Sequence, residues 1–295
     1  MSILVKDQLN NFIQISFPAR RIISLVPSQT ELLYYLGLNE EVIGITKFCI
    51  HPEGWFRKKQ RIGGTKTVNI NLVKKLEPDL IIANKEENTK EQIEQLQQIA
   101  PVFVSDINTL EKALEMINSI GKLVNKQNIA DELIIKIEKA FEQLIPVNQK
   151  INTAYLIWKD PYMAAGGDTF INDMLNHCGF TNIFQNINRY PEVSVENCSI
   201  SNAQRSINNR ISSPDSCQNN IDQSTVIGLP AIANCQLLLL SSEPYPFKQK
   251  HIDELQLQLP GCKILLADGE MFSWYGNRLL YAAQYFTNLI EQVQE

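Results

Sequence analysis

The sequence contains no run approaching the roughly 18 apolar residues of a membrane span, so no membrane insertion is expected. Neither charge dominates: 27 lysines and arginines stand against 32 aspartates and glutamates, interspersed along the chain. That leaves no electrostatic footprint for nucleic acid. Histidine is scarce, with residues only at 51, 177 and 251, and the six cysteines form no C-x-x-C pair, which argues against zinc. Catalytic signatures are missing too: no G-x-S-x-G elbow, no H-E-x-x-H and no pair of catalytic carboxylates. No Walker lysine stands beside the glycines of "AAGGDT" (164–169), so a nucleotide phosphate is not expected there. The expectation is a chain that is not an enzyme and has no cofactor of its own.

The first residues, "MSILVKDQLNNFIQISFPARR", lack the apolar core and cleavage site of a secretory signal and carry no cysteine for a lipid anchor. They predict a cytoplasmic protein with six reduced thiols. A chain trimmed of its signal would be periplasmic.

What is present alternates strand and helix over a length sufficient for two domains, with 44% hydrophobic and 20% charged residues. Apolar runs at Ile22–Val26, Val42–Thr46, Leu80–Ala83 and Val102–Val104 read as buried parallel strands. Helices are expected over Glu31–Leu36, Asn71–Leu76 and Lys90–Gln98. Ser28 and Glu31 form the S-x-x-E pattern of a capped helix start. Asn108 is placed to cap a further helix that Gly121 ends or bends. From Asn128, the residues Ile129, Leu133, Ile137, Phe141 and Leu144 form one apolar stripe. It fits a helix of about 18 residues, about 27 Å long, stopped by Pro146. The pattern then restarts with a strand at 153–158, a helix from Phe170, strands at 235–242 and 262–268, and a closing helix from about 277 to 292. The fold class expected is α/β, with two α/β lobes joined by a long rigid helix. Residues 1–124 would form the first lobe, 125–146 the joining helix and 147–295 the second lobe. Within the second lobe, a stretch at about 197–231 rich in Asn, Ser and Gln reads as a mobile insertion, a lid or a docking arm.

"ISLVPSQTELLYYLGL", "LVKKLEPDLIIA", "DTFINDMLNHCGFTNIF", "RYPEVS" and "LLADGEMFSWYGNRLL" occur in that order. Together they resemble the helical-backbone metal-receptor family, the cobalamin- and siderophore-binding proteins that deliver ligands to ABC importers. The cobalamin-binding branch is the nearest likeness, over about residues 20–295 apart from the insertion. The resemblance implies two lobes gripping a flat macrocycle between them. By position, the first lobe would offer the turn Pro27, Ser28, Gln29, Thr30, then Phe48 and Lys66. The second would offer Trp158, Asp160, Tyr162, Tyr190, Glu243, Tyr245 and Phe247, with Phe272, Trp274 and Tyr275. His51 is a candidate axial ligand to the metal of the bound complex. Transport members dock on a permease through one acidic residue on each lobe. Glu196 matches the second position, whereas the first falls on uncharged Asn71, with Lys74 and Lys75 following.

The side-chain chemistry fits such a ligand. A corrin or porphyrin has a broad apolar face and a polar rim, and aromatic side chains cover such faces with little loss of freedom. Burying roughly 400 Å² of apolar ligand at about 25 cal/mol per Å² supplies about 10 kcal/mol before association costs. Corrins, porphyrins and catecholate complexes all satisfy this chemistry. The function expected is non-enzymatic binding of cobalamin or a related corrinoid or tetrapyrrole metal complex by a cytoplasmic relative of importer receptors. The alternatives are a true ABC-importer receptor for cobalamin or a ferric siderophore, and an enzyme acting on a tetrapyrrole or metal complex on the same scaffold.

Overall fold

The computed structural model describes residues 1–195, 229–232 and 234–295. Glu196 and nearly all of the expected insertion, including Cys198 and Cys217, lie outside the described residues. The chain divides into two compact units. The first comprises Met1–Ile145 with Glu270–Gln292, the second Pro146–Gly269 with Val293–Glu295.

The first unit opens with an antiparallel hairpin, β1 (Ser2–Lys6) and β2 (Phe12–Ser16), that the sequence reading did not anticipate. Its turn is tied by the Asp7 carboxylate, which accepts from the backbone N–H of Leu9 and Asn11. Next come β3 (Ile22–Ser24), α1 (Pro27–Tyr35), β4 (Val42–Ile45), α2 (Glu53–Lys58) and β5 (Gln60–Arg61). A short hairpin follows, β6 (Gly63–Gly64) and β7 (Thr67–Val68), then α3 (Ile70–Leu76), β8 (Leu80–Asn84), α4 (Lys90–Gln97) and β9 (Val102–Ser105). Strands β5-β4-β3-β8-β9 pair in that order, all parallel. Every residue of β8 and β9 is buried, as continuous apolar runs in a parallel sheet require. The turn of the first hairpin covers the β9 edge, with Gln8 N–H donating to Val104 O at 3.2 Å.

Helices α5 (Leu110–Leu123) and α6 (Gln127–Glu142) complete this part of the unit. The cap of α5 is Thr109, whose hydroxyl accepts from Lys112 N–H at 3.3 Å, one residue past the expected Asn108. Gly121 neither ends nor bends α5. It lies within the helix, where a Cβ would stand 2.5 Å from Cβ of Ala130 on α6. The stripe buried on α6 is Ala130, Leu133, Ile137 and Phe141, and Ile129 turns outward.

The second unit carries a mixed sheet. β10 (Ile151–Trp158) pairs antiparallel with β11 (Met163–Ala164). It also pairs in parallel with β12 (Phe180–Asn182), which follows α7 (Phe170–His177), and with β13 (Leu237–Ser241). After α8 (Gln249–Gln258), β14 (Lys263–Ala267) pairs in parallel with β13. Chain on either side of the undescribed stretch meets here, through a parallel bridge between Ser194 and Ala231.

The last elements, α9 (Gly269–Ser273) and α10 (Leu279–Gln294), were expected in the second lobe. The structure instead groups Glu270–Gln292 with the first unit. There Phe272 and Phe286 pack at 4.8 Å between ring centres, and Phe286 meets Phe141 of α6 at 6.2 Å.

Candidate functional site

In the first unit the chain leaves the central strand β3 towards β4 on one side and later adds β8 and β9 on the other. The order of strands therefore switches between β3 and β8, and ligands of open α/β sheets sit outside the carboxyl strand ends at such a point. The Val26-Pro27 turn lies there. Val26 is extended, as the residue before proline prefers, and Pro27 begins α1. Ser28 supplies no side-chain cap, and Glu31 is committed elsewhere.

The polar residues of this turn face inward. Thr30 Oγ1 donates within the buried group formed by Ser24 Oγ (2.7 Å), Val26 O (2.8 Å) and Cys49 Sγ (3.1 Å). Gln29 Nε2 donates to Ser105 Oγ at 2.6 Å, and Asn84 Nδ2 donates to the same oxygen at 3.0 Å. Asn88, which accepts from Asn84 N–H, donates to Thr65 O at 2.8 Å. Gln29 and Thr30 are fully buried and Ser28 nearly so. Gln29 and Thr30 thus hold the strand ends together, as polar groups in a dry sheet end need internal partners, and all three candidates present almost no surface to a ligand.

At the end of β4, Phe48 is 50% exposed. Its ring edge lies against the Gly63–Gly64 hairpin, where a Cβ on Gly64 would meet it at 3.3 Å. Lys66 lies exposed at the tip of that hairpin, its carbonyl accepting from Gln92 Nε2 at 2.7 Å.

Close by in the chain, His51 joins a group that the sequence reading did not assemble. His51 Nε2 is 3.4 Å from Glu270 Oε1, and its ring meets Trp274 edge-on at 5.6 Å. Arg278 Nη1 is 2.7 Å from Glu270 Oε2, its Nε donates to Glu31 Oε2 at 2.8 Å, and its guanidinium lies 4.7 Å over the Trp274 ring. Residues from α1, the β4 loop, α9 and the start of α10 are thereby locked in one network of charge-assisted bonds and a cation–π contact. This corrects the expectation for the "MFSWYG" loop. Phe272 is core at 0% exposure, while Trp274 and Tyr275 are each 7% exposed, so within the first unit they serve packing more than stacking on a ligand. For His51, Nε2 is turned to a carboxylate. Among the described residues, no group of three or more His, Cys, Asp or Glu side chains comes together to hold a metal ion.

A surface groove of about 1090 Å³ also opens on the first unit, along Tyr34, Trp55, Lys59, Asn277 and Tyr281. None of these is a predicted ligand contact, and lysines and carboxylates share its rim.

In the second unit the structure brings several predicted aromatics together at the carboxyl ends of β10 and β13. Trp158, 40% exposed, meets Tyr245 edge-on at 5.7 Å between ring centres. Tyr245 in turn meets Phe247 at 4.8 Å. Phe247 is buried among Tyr245 and His251 and so anchors the cluster from below. His251, which the sequence reading left aside, fixes the arrangement. Its Nδ1 accepts from Lys248 N–H at 2.8 Å and its Nε2 lies 3.4 Å from Tyr245 Oη. Burial, together with Lys159 and Lys250, pushes the His251 pKa below the ordinary imidazole value, which keeps the ring neutral. Lys159 donates to Glu254 at 2.5 Å, and that bond raises the Lys159 pKa and lowers that of Glu254. Tyr162 is half-buried, and burial raises its phenol pKa.

Asp160 is exposed on a left-handed residue (φ 64°). Glu243 is half-buried, its carbonyl accepting from Ser241 Oγ at 2.5 Å. Tyr190 lies on a separate segment that runs beside β11, with the Arg189 guanidinium 6.0 Å from its ring centre. That segment also explains the glycines of "AAGGDT". A Cβ on Gly166 would meet Ile187 O at 2.2 Å, and one on Gly167 would meet Gln185 O at 1.8 Å. The close approach there is the chain's own backbone.

The periplasmic binding protein family model matches residues 22–217, two thirds of the chain. The chain belongs to the periplasmic binding protein family. A vitamin B12-binding protein of Vibrio campbellii is 27% identical over 184 residues, covering 61% of this chain and 66% of its own length. An uncharacterized ABC transporter substrate-binding lipoprotein of Bacillus subtilis is 28% identical over 185 residues, 59% of this chain and 58% of its own length. The chain thus spans about two thirds or less of these relatives. The crystal structure of the periplasmic vitamin B12 binding protein of Vibrio cholerae superposes with a TM-score of 0.69 at 20% identity, covering 95% of this chain and all of the other. That likeness confirms the fold.

These findings overturn the cytoplasmic expectation. The family is periplasmic by description, and the relatives named above include a periplasmic protein and a lipoprotein. The composition of the first 21 residues does not decide location. Among the described residues, no helix is long and apolar enough to cross a membrane.

Proposed function

We propose that this chain binds cobalamin or a closely related corrinoid as a substrate-binding protein and presents it to an ABC permease. The observation that carries the reading is the aromatic group Trp158–Tyr245–Phe247 at the carboxyl strand ends of the second unit, in a chain whose relatives include vitamin B12-binding proteins. Trp158 and Tyr245 supply flat, partly exposed rings on a buried support. Asp160, Tyr162 and Glu243 stand around them as polar partners for the amides of a corrin rim. Ligand binding without conversion is the activity this reading assigns, in keeping with membership of a binding-protein family.

The permease role draws on the lipoprotein relative, which is an ABC transporter substrate-binding protein. On the first unit the candidate docking position is Asn71, exposed in the first turn of α3; a polar contact without charge would serve there in place of an ion pair.

The test is a calorimetric and absorbance titration of the purified protein with cobalamin, cobinamide, haem and ferric siderophores. Binding of cobalamin or cobinamide at micromolar affinity or tighter is expected. Silence with both corrinoids alongside binding of haem or a siderophore would overturn the ligand assignment.

A further inference from the structure

Cys235 lies two residues before β13 and Cys262 one before β14, the neighbouring parallel strands whose first paired residues are Leu237 and Lys263. Lys263 N–H donates to Gln236 O at 2.9 Å, and one residue earlier the register sets Cys262 beside Gln236, with Cys235 the next residue back. Paired strands run about 4.8 Å apart and each residue advances about 3.3 Å, so the diagonal from Cys235 to Cys262 is about 6 Å between Cα atoms, within the roughly 4.4–6.8 Å that a disulfide takes. Cys262 is buried in the core of the second unit and Cys235 packs against that core from the half-buried side. We infer that Cys235 and Cys262 are a redox-active thiol pair that closes to an internal disulfide in an oxidising compartment.

The two sulfurs already interact. Hydrogen bonding to the Cys235 thiol lowers the Cys262 pKa against the opposing effect of burial, and the same contact together with burial raises that of Cys235. The pair therefore gives up one proton readily and shares the other. The remaining described thiols are different: Cys49 and Cys178 are deeply buried, and burial raises both. The compartment that gives the family its name is one where disulfides form and persist, so the expectation of uniformly reduced thiols falls with the cytoplasmic one.

With a small disulfide such as oxidised glutathione as co-reactant, the half-exposed Cys235 thiol passes its proton to the Cys262 thiolate and attacks. It bonds to one glutathione sulfur and expels the other as a thiolate. Cys262 then loses its proton to water and attacks the Cys235 sulfur, which breaks the mixed disulfide and releases the second glutathione thiolate. Two protein thiols are oxidised by two electrons, and one glutathione disulfide is reduced to two thiols.

The experiment incubates the full chain, as wild type and as Cys198→Ser/Cys217→Ser, in mixtures of oxidised and reduced glutathione. Acid quenching, alkylation under denaturing conditions, and intact and peptide mass analysis follow. The expected result in both proteins is a peptide pair linking Cys235 to Cys262, reversed by dithiothreitol, with Cys49 and Cys178 still alkylated. Cys262→Ser should instead trap glutathione on Cys235, with circular dichroism checking that the variant is folded. The inference is overturned if Cys235 and Cys262 both remain alkylatable under oxidising conditions, or if either pairs with Cys198 or Cys217 in the wild type.

Discussion

Arg278 offers the sharpest test of how the end of the chain is held. Its guanidinium bonds Glu31 at 2.8 Å and Glu270 at 2.7 Å while lying over Trp274. The three charged side chains are only 14%, 18% and 19% exposed. Hydrogen bonds to charged groups contribute about 1.5–3 kcal/mol each. Removing this arginine breaks two of them and leaves two partly desolvated carboxylates facing one another, although both regain some water. Arg278→Ala should therefore cost the first unit about 3 kcal/mol. For a body of this size that corresponds to a fall in Tm of about 6–12 °C, read by differential scanning calorimetry. Arg278→Lys, with a single ammonium in place of the planar fork, should recover about half of the loss. In a Glu31→Gln/Glu270→Gln background the same Arg278→Ala change should cost under about 1 kcal/mol, since its partners no longer carry charge. A wild-type-like Tm for Arg278→Ala would refute the claim that this network holds Glu270–Gln292 in the first unit.

Three further expectations follow from separate parts of the molecule. Trp158→Ala should weaken cobalamin binding by about tenfold or more while leaving Tm nearly unchanged, because the ring is 40% exposed; an unaltered Kd by calorimetry would remove Trp158 from the site. His251 has its folded pKa pushed below the ordinary value by burial first and neighbouring lysines second. The stability it contributes is therefore complete above about pH 6.5 and is lost as pH falls through the folded value. Urea denaturation between about pH 8 and pH 5 should show a steeper loss for the wild type than for His251→Ala, and equal slopes would contradict the buried neutral ring. Gly121→Ala pits helix propensity, about 1 kcal/mol in favour of alanine, against overpacking at about 1–3 kcal/mol. Since the new Cβ would stand 2.5 Å from Ala130, a lower Tm is expected, rescued by Ala130→Gly, and a higher Tm would refute the close helix contact.

The sequence reading went furthest where local pattern determines structure. The runs at 22–26, 42–46, 80–83 and 102–104 became β3, β4, β8 and β9, because an unbroken apolar stretch too short for a helix suits a strand covered on both faces. The α6 helix was legible from its stripe, though its exact face was not: Ala130 is buried where Ile129 was expected, a shift set by the close packing of α5 at Gly121. Pairings distant in sequence were not legible. Glu31 looked like half of a capping box, and nothing local reveals that its partner lies 247 residues away. The apolar stripe of α10 shows that the helix covers a core but not which core, so the closing helix was placed in the wrong unit. Likewise "MFSWYG" advertises three rings at a strand end without saying that Phe272 packs on Phe286. At the second unit, Trp158 and Tyr245 were each expected as separate ligand contacts; that their rings meet depends on the pairing of β10 with β13, and the support from His251 depends on a tautomer set by Lys248 N–H.

The return of Glu270–Gln292 to the first unit has a bearing on how the molecule matures. The second unit is built almost entirely from one uninterrupted stretch, Pro146–Gly269, and holds most of what it needs before translation finishes. The first unit starts earlier yet cannot be completed until Glu270–Gln292 has emerged, because Phe286 and its neighbours fill its core. A polypeptide arranged in this way keeps its first unit partly open during synthesis until Glu270–Gln292 returns to it.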